Sequence, residues 1–154
     1  MFKKLIRIRT VIFVLFLFLT YSNVSAGEGK PVDISEYKGK VVMVDFWASW
    51  CGPCRKSFPW LNEMHRTKSA KGLVVIGVNV DENSQDAQQF LVKNPAIFKL
   101  IYDPKGQHAS FYDLPGMPTT LIFDRQGKLV HKHAGFKTNK IKEYEQLIDQ
   151  VLAL

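Results

Sequence analysis

The two cysteines of this chain lie close together in the stretch Trp50-Cys51-Gly52-Pro53-Cys54. A disulfide between them closes so short a loop that it would stabilise the fold by only about 2 kcal/mol in the chain-entropy model. A chain of 154 residues can bury a sizeable core without such a bridge. The spacing is therefore poorly explained as a stabilising cross-link.

A metal site at this pair lacks further ligands nearby in the sequence. A closed zinc site needs four ligands, and the nearest histidine, His65, lies eleven residues beyond Cys54 on the same predicted helix. That separation is about 16 Å along a helix axis. His131 and His133 point to the same face of a predicted strand, and such a pair is typical of a solvent-facing surface. We expect no metal site, although two thiolates alone can hold copper(I), so a copper-handling protein stays open as an alternative.

Redox chemistry fits the spacing of the cysteines best. Cys51 falls at the start of a predicted helix, where unpaired N–H groups and the helix dipole stabilise a thiolate. Cys54 lies one turn further in, close enough to attack a mixed disulfide formed on Cys51 and shielded from other partners. The pair therefore predicts a nucleophile and a resolving thiol, which form a redox-active disulfide and need no cofactor.

Hydrophobic periodicity around the motif predicts alternating strands and helices. Uncharged, β-branched runs predict buried strands, and apolar residues at helical spacing predict three long helices. A turn at residues 124–127 separates two short apolar runs, which indicates an antiparallel hairpin. The predicted strands are 41–46, 73–80, 100–102, 119–123 and 128–133, and the predicted helices are 51–68, 81–93, 109–112 and 138–152. This order predicts an α/β fold with a mixed central sheet and helices on both faces.

The N-terminal sequence has the pattern of a signal peptide. Four basic residues and no acidic ones fall within residues 1–10, an apolar run occupies residues 11–21, and Val24-Ser25-Ala26 offers small residues for cleavage. A run of 11 apolar residues is short for a membrane span, which needs about 20. We therefore expect a cleaved signal peptide at residues 1–26 and one domain at residues 27–154. An uncleaved membrane anchor is the alternative, and it is the only membrane contact that we expect.

The charge of the predicted mature chain gives no indication of nucleic-acid binding. Residues 1–26 hold four of the 21 basic residues and none of the 14 acidic ones, so the remaining chain has a formal charge of +3. That value is an ordinary solubility margin. No basic run interleaved with aromatic residues occurs in the mature part, so we expect no nucleic-acid binding.

Two separate stretches resemble the thioredoxin-like family. "VVMVDFWASWCGPCRKSFPWL" is similar to the active-site strand and helix of thioredoxin. Together with the signal peptide, "GMPTTLIFDRQGKLV" resembles the exported branch of that family, of the TlpA, ResA and DsbE kind. The resemblance covers about residues 31–154. It implies the thioredoxin fold and thiol–disulfide exchange.

The resemblance also implies roles for residues outside the cysteine pair. Pro118 matches the cis-proline that the family places against the cysteines, and Met117 before it would contact the substrate. The residues that would flank the reactive sulfur and contact the substrate are Trp50, Gly52 and Pro53.

Asp45 is a carboxylate in an otherwise apolar strand, which is costly unless the group is paired or functional. It matches the buried acid of thioredoxins, which exchanges protons with the resolving thiol, and we expect burial to raise its pKa. Trp47 at the end of the same strand is expected in the core. The sequence departs from the family pattern at two positions. Gly77 stands where thioredoxin has a lysine near the acid, and Ser57 stands where the exported branch often has a glutamate.

These features predict an exported, periplasmic thiol–disulfide oxidoreductase. The resemblance favours the reducing direction, because Gly-Pro separates the cysteines of the reducing members. The implied partners are exported proteins with disulfides, such as apocytochrome c, and a membrane thiol reductant as the electron donor. A net oxidant or isomerase using the same pair is an alternative direction, and a copper-handling protein is the alternative class.

Overall fold

The computed structural model describes residues 29–154, so the predicted signal peptide lies outside the described range. No helix in residues 29–154 is both long enough and apolar enough to span a bilayer. The strands are β1 (Val41–Trp47), β2 (Leu73–Asn79), β3 (Lys99–Tyr102), β4 (Thr119–Phe123) and β5 (Leu129–Ala134). The helices are α1 (Gly52–Lys68), α2 (Ser84–Lys93), α3 (Gln107–Phe111) and α4 (Ile141–Leu152), with short 3-10 turns at Ser35–Tyr37, Ser69–Lys71 and Thr138–Lys140.

The five strands form one mixed sheet in the order β3-β2-β1-β4-β5. Strands β1, β2 and β3 are parallel, while β4 runs antiparallel to both β1 and β5. Strand β1 is central and fully buried, as its uncharged, β-branched sequence predicts. The predicted mixed sheet and the predicted hairpin are confirmed.

Helices cover both faces of the sheet, as predicted. On one face, helices α1, α2 and α4 pack over a cluster that includes Met43, Trp47 and both cysteines. Trp47 is fully buried, as expected, and its ring lies 4.8 Å from Phe58 of α1 between ring centroids. On the other face, the short helix α3 and the N-terminal lead-in cover the alternate side chains of β1. Aromatic packing of β1 against α1 therefore fixes where the cysteine motif begins.

The structure shifts several predicted boundaries. The second helix begins at Ser84 rather than at residue 81, because the Asn83 side chain accepts the N–H of Gln85 and caps it there. Helix α3 spans residues 107–111 rather than 109–112, since the Asp103 carboxylate accepts the N–H groups of its first turn. The last helix is preceded by a 3-10 turn at residues 138–140.

Candidate active site

The cysteine pair lies at the junction of β1 and α1. Cys51 is the N-cap of α1, and its Sγ accepts the backbone N–H of Cys54 at 3.2 Å. The two sulfur atoms form a disulfide with an S–S distance of 2.05 Å. Cys54 is fully buried, while Cys51 is 3 % exposed. An N–H aimed at the Cys51 sulfur favours the thiolate when the pair is reduced, so the predicted nucleophile has the more suitable position.

Exposed residues surround Cys51 on the outer side of the molecule. The Trp50 side chain is 68 % exposed, and Gly52 and Pro53 are also exposed. A Cβ added at Gly52 would meet no atom within 4 Å. The three residues predicted to flank the reactive sulfur therefore form an exposed surface next to it.

The topology brings Met117 and Pro118 to the same end of the sheet as the cysteines. Strand β4 begins at Thr119, which is in register with Phe46 near the end of β1. The Met117–Pro118 peptide bond is cis, as the resemblance implies. Met117 is half-buried and packs against the cluster that contains both cysteines. The predicted substrate-contacting residues therefore gather at the same end of the central strands as the cysteines.

Asp45 lies in the middle of β1 and is 1 % exposed. Its Oδ2 accepts the Thr120 hydroxyl from β4 at 2.7 Å, whereas Oδ1 has no partner within residues 29–154. Burial raises the pKa of Asp45 to about 7, while the hydrogen bond from Thr120 acts in the opposite direction. A carboxyl group with this pKa can take and release a proton near neutral pH, which suits exchange with a thiol.

Gly77 is in register with Asp45 on the neighbouring strand, as the alignment with thioredoxin implies. A Cβ at this position would come within 3.1 Å of three side chains, those of Phe98, Leu100 and Trp47. The space that a lysine would need is therefore filled by apolar packing. Asp45 lacks the neighbouring cation that the resemblance would place there.

A buried polar network that the sequence did not reveal holds the loop before the motif. The Asp81 carboxylate, 5 % exposed, accepts the backbone N–H of Ser49 at 2.9 Å and its hydroxyl at 3.0 Å. Asn79 Nδ2 donates a further bond to the same carboxylate at 2.7 Å. Arg55 of α1 donates to the Ser49 carbonyl at 3.1 Å. The segment that carries Trp50 and Cys51 is thus fixed from both β2 and α1.

Comparison with known proteins agrees with this geometry. A model of the Redoxin family matches residues 19–148, which is most of the chain. The chain belongs to the Redoxin family.

Proteins similar to this Redoxin are named for thiol–disulfide chemistry or as thioredoxins. The thiol-disulfide oxidoreductase ResA of Bacillus subtilis is 32% identical over 121 residues, which cover 78% of this chain and 68% of that protein. A Chlorobium tepidum protein assigned as the thiol:disulfide interchange protein DsbE is 47% identical, with a TM-score of 0.76 over 79% of this chain and 86% of that one. The exposed lipoprotein thioredoxin of Streptococcus pneumoniae is 29% identical, with a TM-score of 0.67 over 75% of this chain and 88% of that one.

The family and these relatives establish what the cysteine pair does. This Redoxin has the thioredoxin fold and is a thiol–disulfide oxidoreductase. The enzyme class and the fold predicted from the motif are therefore confirmed. The roles assigned to individual residues remain predictions.

Ser57, the second departure noted in the sequence, is fully buried one turn beyond Cys54 in α1. Its hydroxyl donates to the Cys54 carbonyl at 3.1 Å. The hydroxyl is therefore satisfied within the helix and supplies no ionisable group. Asp45 is the buried acid on this face of the sheet that can exchange protons near neutral pH.

The two histidines of β5 do not both face solvent, so the prediction of a solvated face is wrong for His133. The His133 ring stacks on Tyr144 of α4, with ring centroids 4.8 Å apart and planes 9° apart. His131 lies 5.5 Å from His133 between ring centroids. Within residues 29–154, no group of three or more histidine, cysteine or acidic side chains is arranged to hold a metal ion.

Proposed function

We propose that this Redoxin reduces disulfides in exported proteins, in the periplasm or at an equivalent site outside the cytoplasm. The observation that carries the proposal is the contrast between the two cysteines. Cys51 caps a helix beside the exposed residues Trp50, Gly52 and Pro53, whereas Cys54 is fully buried behind it. This asymmetry suits attack by one thiol and resolution by the other.

The reaction begins with the reduced pair. The Cys51 thiolate attacks a substrate disulfide, forming a mixed disulfide and releasing one substrate sulfur as a thiolate. Cys54 loses its proton to the Asp45 carboxylate and attacks Cys51 Sγ. The second substrate sulfur leaves, the Cys51–Cys54 disulfide forms, and two electrons have passed to the substrate. Met117 and Pro118 shape the surface on which the substrate chain docks, and the pair itself is the only redox group required.

Two observations support export. The sequence pattern of residues 1–26 is that of a signal peptide, and one relative is named as an exposed lipoprotein thioredoxin. The client proteins would then carry disulfides formed outside the cytoplasm, apocytochrome c being one candidate. A membrane thiol reductant would restore the dithiol.

The reducing direction is tested by equilibrating the pair with glutathione or dithiothreitol buffers and measuring the oxidised fraction. We expect a potential near that of thioredoxin, about −270 mV. A value above about −180 mV, the range of protein disulfide isomerase, would contradict a reductase and favour an oxidant or isomerase. Insulin reduction by the parent chain, and its loss in Cys51→Ser, provides the matching activity control.

A further inference from the structure

A row of register partners crosses the sheet at Asp45. Asp45 on β1 pairs with Thr120 on β4, and Thr120 pairs with His133 on β5. Partners directly opposite each other on antiparallel strands point to the same face, with Cβ atoms about 5 Å apart. The Thr120 hydroxyl already bonds Asp45 Oδ2 at 2.7 Å. The row therefore leads from the buried carboxyl group to a histidine on the edge strand of the sheet.

His133 has the surroundings of a group that can exchange protons. Neither ring nitrogen has a hydrogen-bond partner within residues 29–154, although the ring is held in place by stacking on Tyr144. Burial lowers the pKa of His133, and the neighbouring His131 lowers it further. A neutral imidazole has one donor and one acceptor nitrogen, so it can accept a proton on one side and release another on the opposite side.

Few other titratable groups face this row. His131 on β5 and Tyr144 on α4 are the ring neighbours of His133. The Tyr144 hydroxyl is engaged by the Lys137 backbone N–H at 3.3 Å. None of the ion pairs within residues 29–154 involves Asp45 or His133. The polar connection of Asp45 across the sheet therefore runs through Thr120.

We propose that His133 is a positioning residue that exchanges protons with Asp45 through the Thr120 hydroxyl. This inference rests on the proposed role of Asp45 as the proton acceptor of Cys54. After Cys54 attacks Cys51, protonated Asp45 donates its proton to Thr120 Oγ1, and the Thr120 hydroxyl proton passes to a ring nitrogen of His133. Both nitrogens of His133 are buried in the stacked position, so the ring must turn away from Tyr144 to release a proton to solvent at the edge strand, and Asp45 returns to the carboxylate. Because the ring nitrogens are unbonded, the second transfer uses a bridging water or a small ring rotation.

The test measures oxidation of the reduced full chain by a disulfide-bonded peptide, from about pH 5 to about pH 9, in buffers of increasing imidazole concentration. His133→Phe keeps an aromatic ring for Tyr144 but removes both nitrogens. We expect it to slow oxidation about tenfold near neutral pH, less than the roughly 10²–10⁴-fold of a directly acting acid or base, because His133 acts through Asp45. We also expect added imidazole to raise the rate of His133→Ala, because alanine leaves the space of the ring open to a small base, whereas phenylalanine fills it.

His131→Phe is the matched control, because His131 lies on the same face of the same strand but opposite the apolar Ile122. We expect the parental rate and no dependence on imidazole. Thr120→Val, which replaces the hydroxyl by a methyl group, should reproduce the His133→Phe behaviour. Thr120→Ser, which keeps the hydroxyl group, should keep the parental rate. The double variant Thr120→Val/His133→Phe should be no slower than either single one, because both residues lie on one path.

The outcomes separate this inference from the proposed role of Asp45. If Asp45→Asn oxidises at the parental rate, the role of Asp45 itself is wrong. If Asp45→Asn is slow but His133→Phe and Thr120→Val are both parental and His133→Ala is insensitive to imidazole, the path through His133 is overturned and Asp45 keeps its role. Equal slowing of His131→Phe and His133→Phe would also overturn it, since packing rather than proton exchange would then explain both.

Discussion

The Asp81 carboxylate accepts the Ser49 backbone N–H at 2.9 Å, and this bond joins two loops that are 32 residues apart in sequence. The contact follows from the parallel register of β1 and β2, in which Trp47 pairs with Asn79. Ser49 and Asp81 each lie two residues beyond that last pair. The end of β2 therefore holds the loop that leads into the cysteine motif.

Asp81→Asn should destabilise the protein, because both carboxylate oxygens accept hydrogen bonds and the amide replaces one of these acceptors with an NH2 donor. We expect the free energy of unfolding to fall by about 1–3 kcal/mol, the penalty for leaving a buried polar group unpaired. Ser49→Ala removes only the hydroxyl bond and should lower it by about 1 kcal/mol. Urea unfolding of the oxidised chain measures both values.

Asp86→Asn serves as the control for this series, since Asp86 is exposed on α2. Amide hydrogen exchange at Ser49 should be faster in Asp81→Asn and unchanged in Asp86→Asn. Equal stability of the two aspartate variants would show that the network does not hold the loop.

The chemistry of this protein could be predicted from sequence because its cysteines are nearly adjacent, and the strand and helix around them are local patterns. The contact of Asp81 could not, because it depends on how two strand ends meet. His133 was misplaced for a related reason. Alternation along an edge strand predicts a solvent-facing side chain, but Tyr144 of α4 covers this one. Tertiary contacts between distant segments thus account for both failures.

Asp45 should make stability depend on pH. Its folded pKa of about 7 lies above the ordinary value of 3.8, so the folded state holds a proton that the unfolded state has released between these pH values. The contribution of Asp45 to the free energy of unfolding is therefore fully present below about pH 4. It is lost as the pH rises to about 7, by on the order of 4 kcal/mol in total. Asp45→Asn removes the titration and should flatten this part of the profile.

Unfolding of the oxidised chain at several pH values checks this expectation, because the disulfide keeps both cysteines from titrating. The comparison uses the slope of the profile, since the amide also changes the packing around Oδ1. Asp86→Asn should keep the parental slope. Parallel profiles for the parent and Asp45→Asn would mean that the carboxyl group has an ordinary pKa.

Gly77→Ala should be destabilising although it adds only one methyl group. The new Cβ would lie 2.9 Å from Phe98 and 3.0 Å from Leu100, at a buried position of β2. Overpacking of this kind costs about 1–3 kcal/mol. Gly52→Ala is the control for stability alone, because nothing lies within 4 Å of a Cβ there. Thermal or urea unfolding that ranks the two variants equally would contradict the packing explanation for the missing lysine.

The different roles proposed for the two cysteines predict which single variant forms a stable mixed disulfide with substrate. Cys54→Ser leaves the Cys51 thiol, at the N-cap of α1, free to attack but removes the group that resolves the mixed disulfide. We expect stable mixed disulfides with a disulfide-bonded peptide on Cys51, visible by mass spectrometry. Cys51→Ser should give little adduct, because Cys54 is fully buried. The opposite pattern, with adducts on Cys54 alone, would reverse the assignment of nucleophile and resolving thiol.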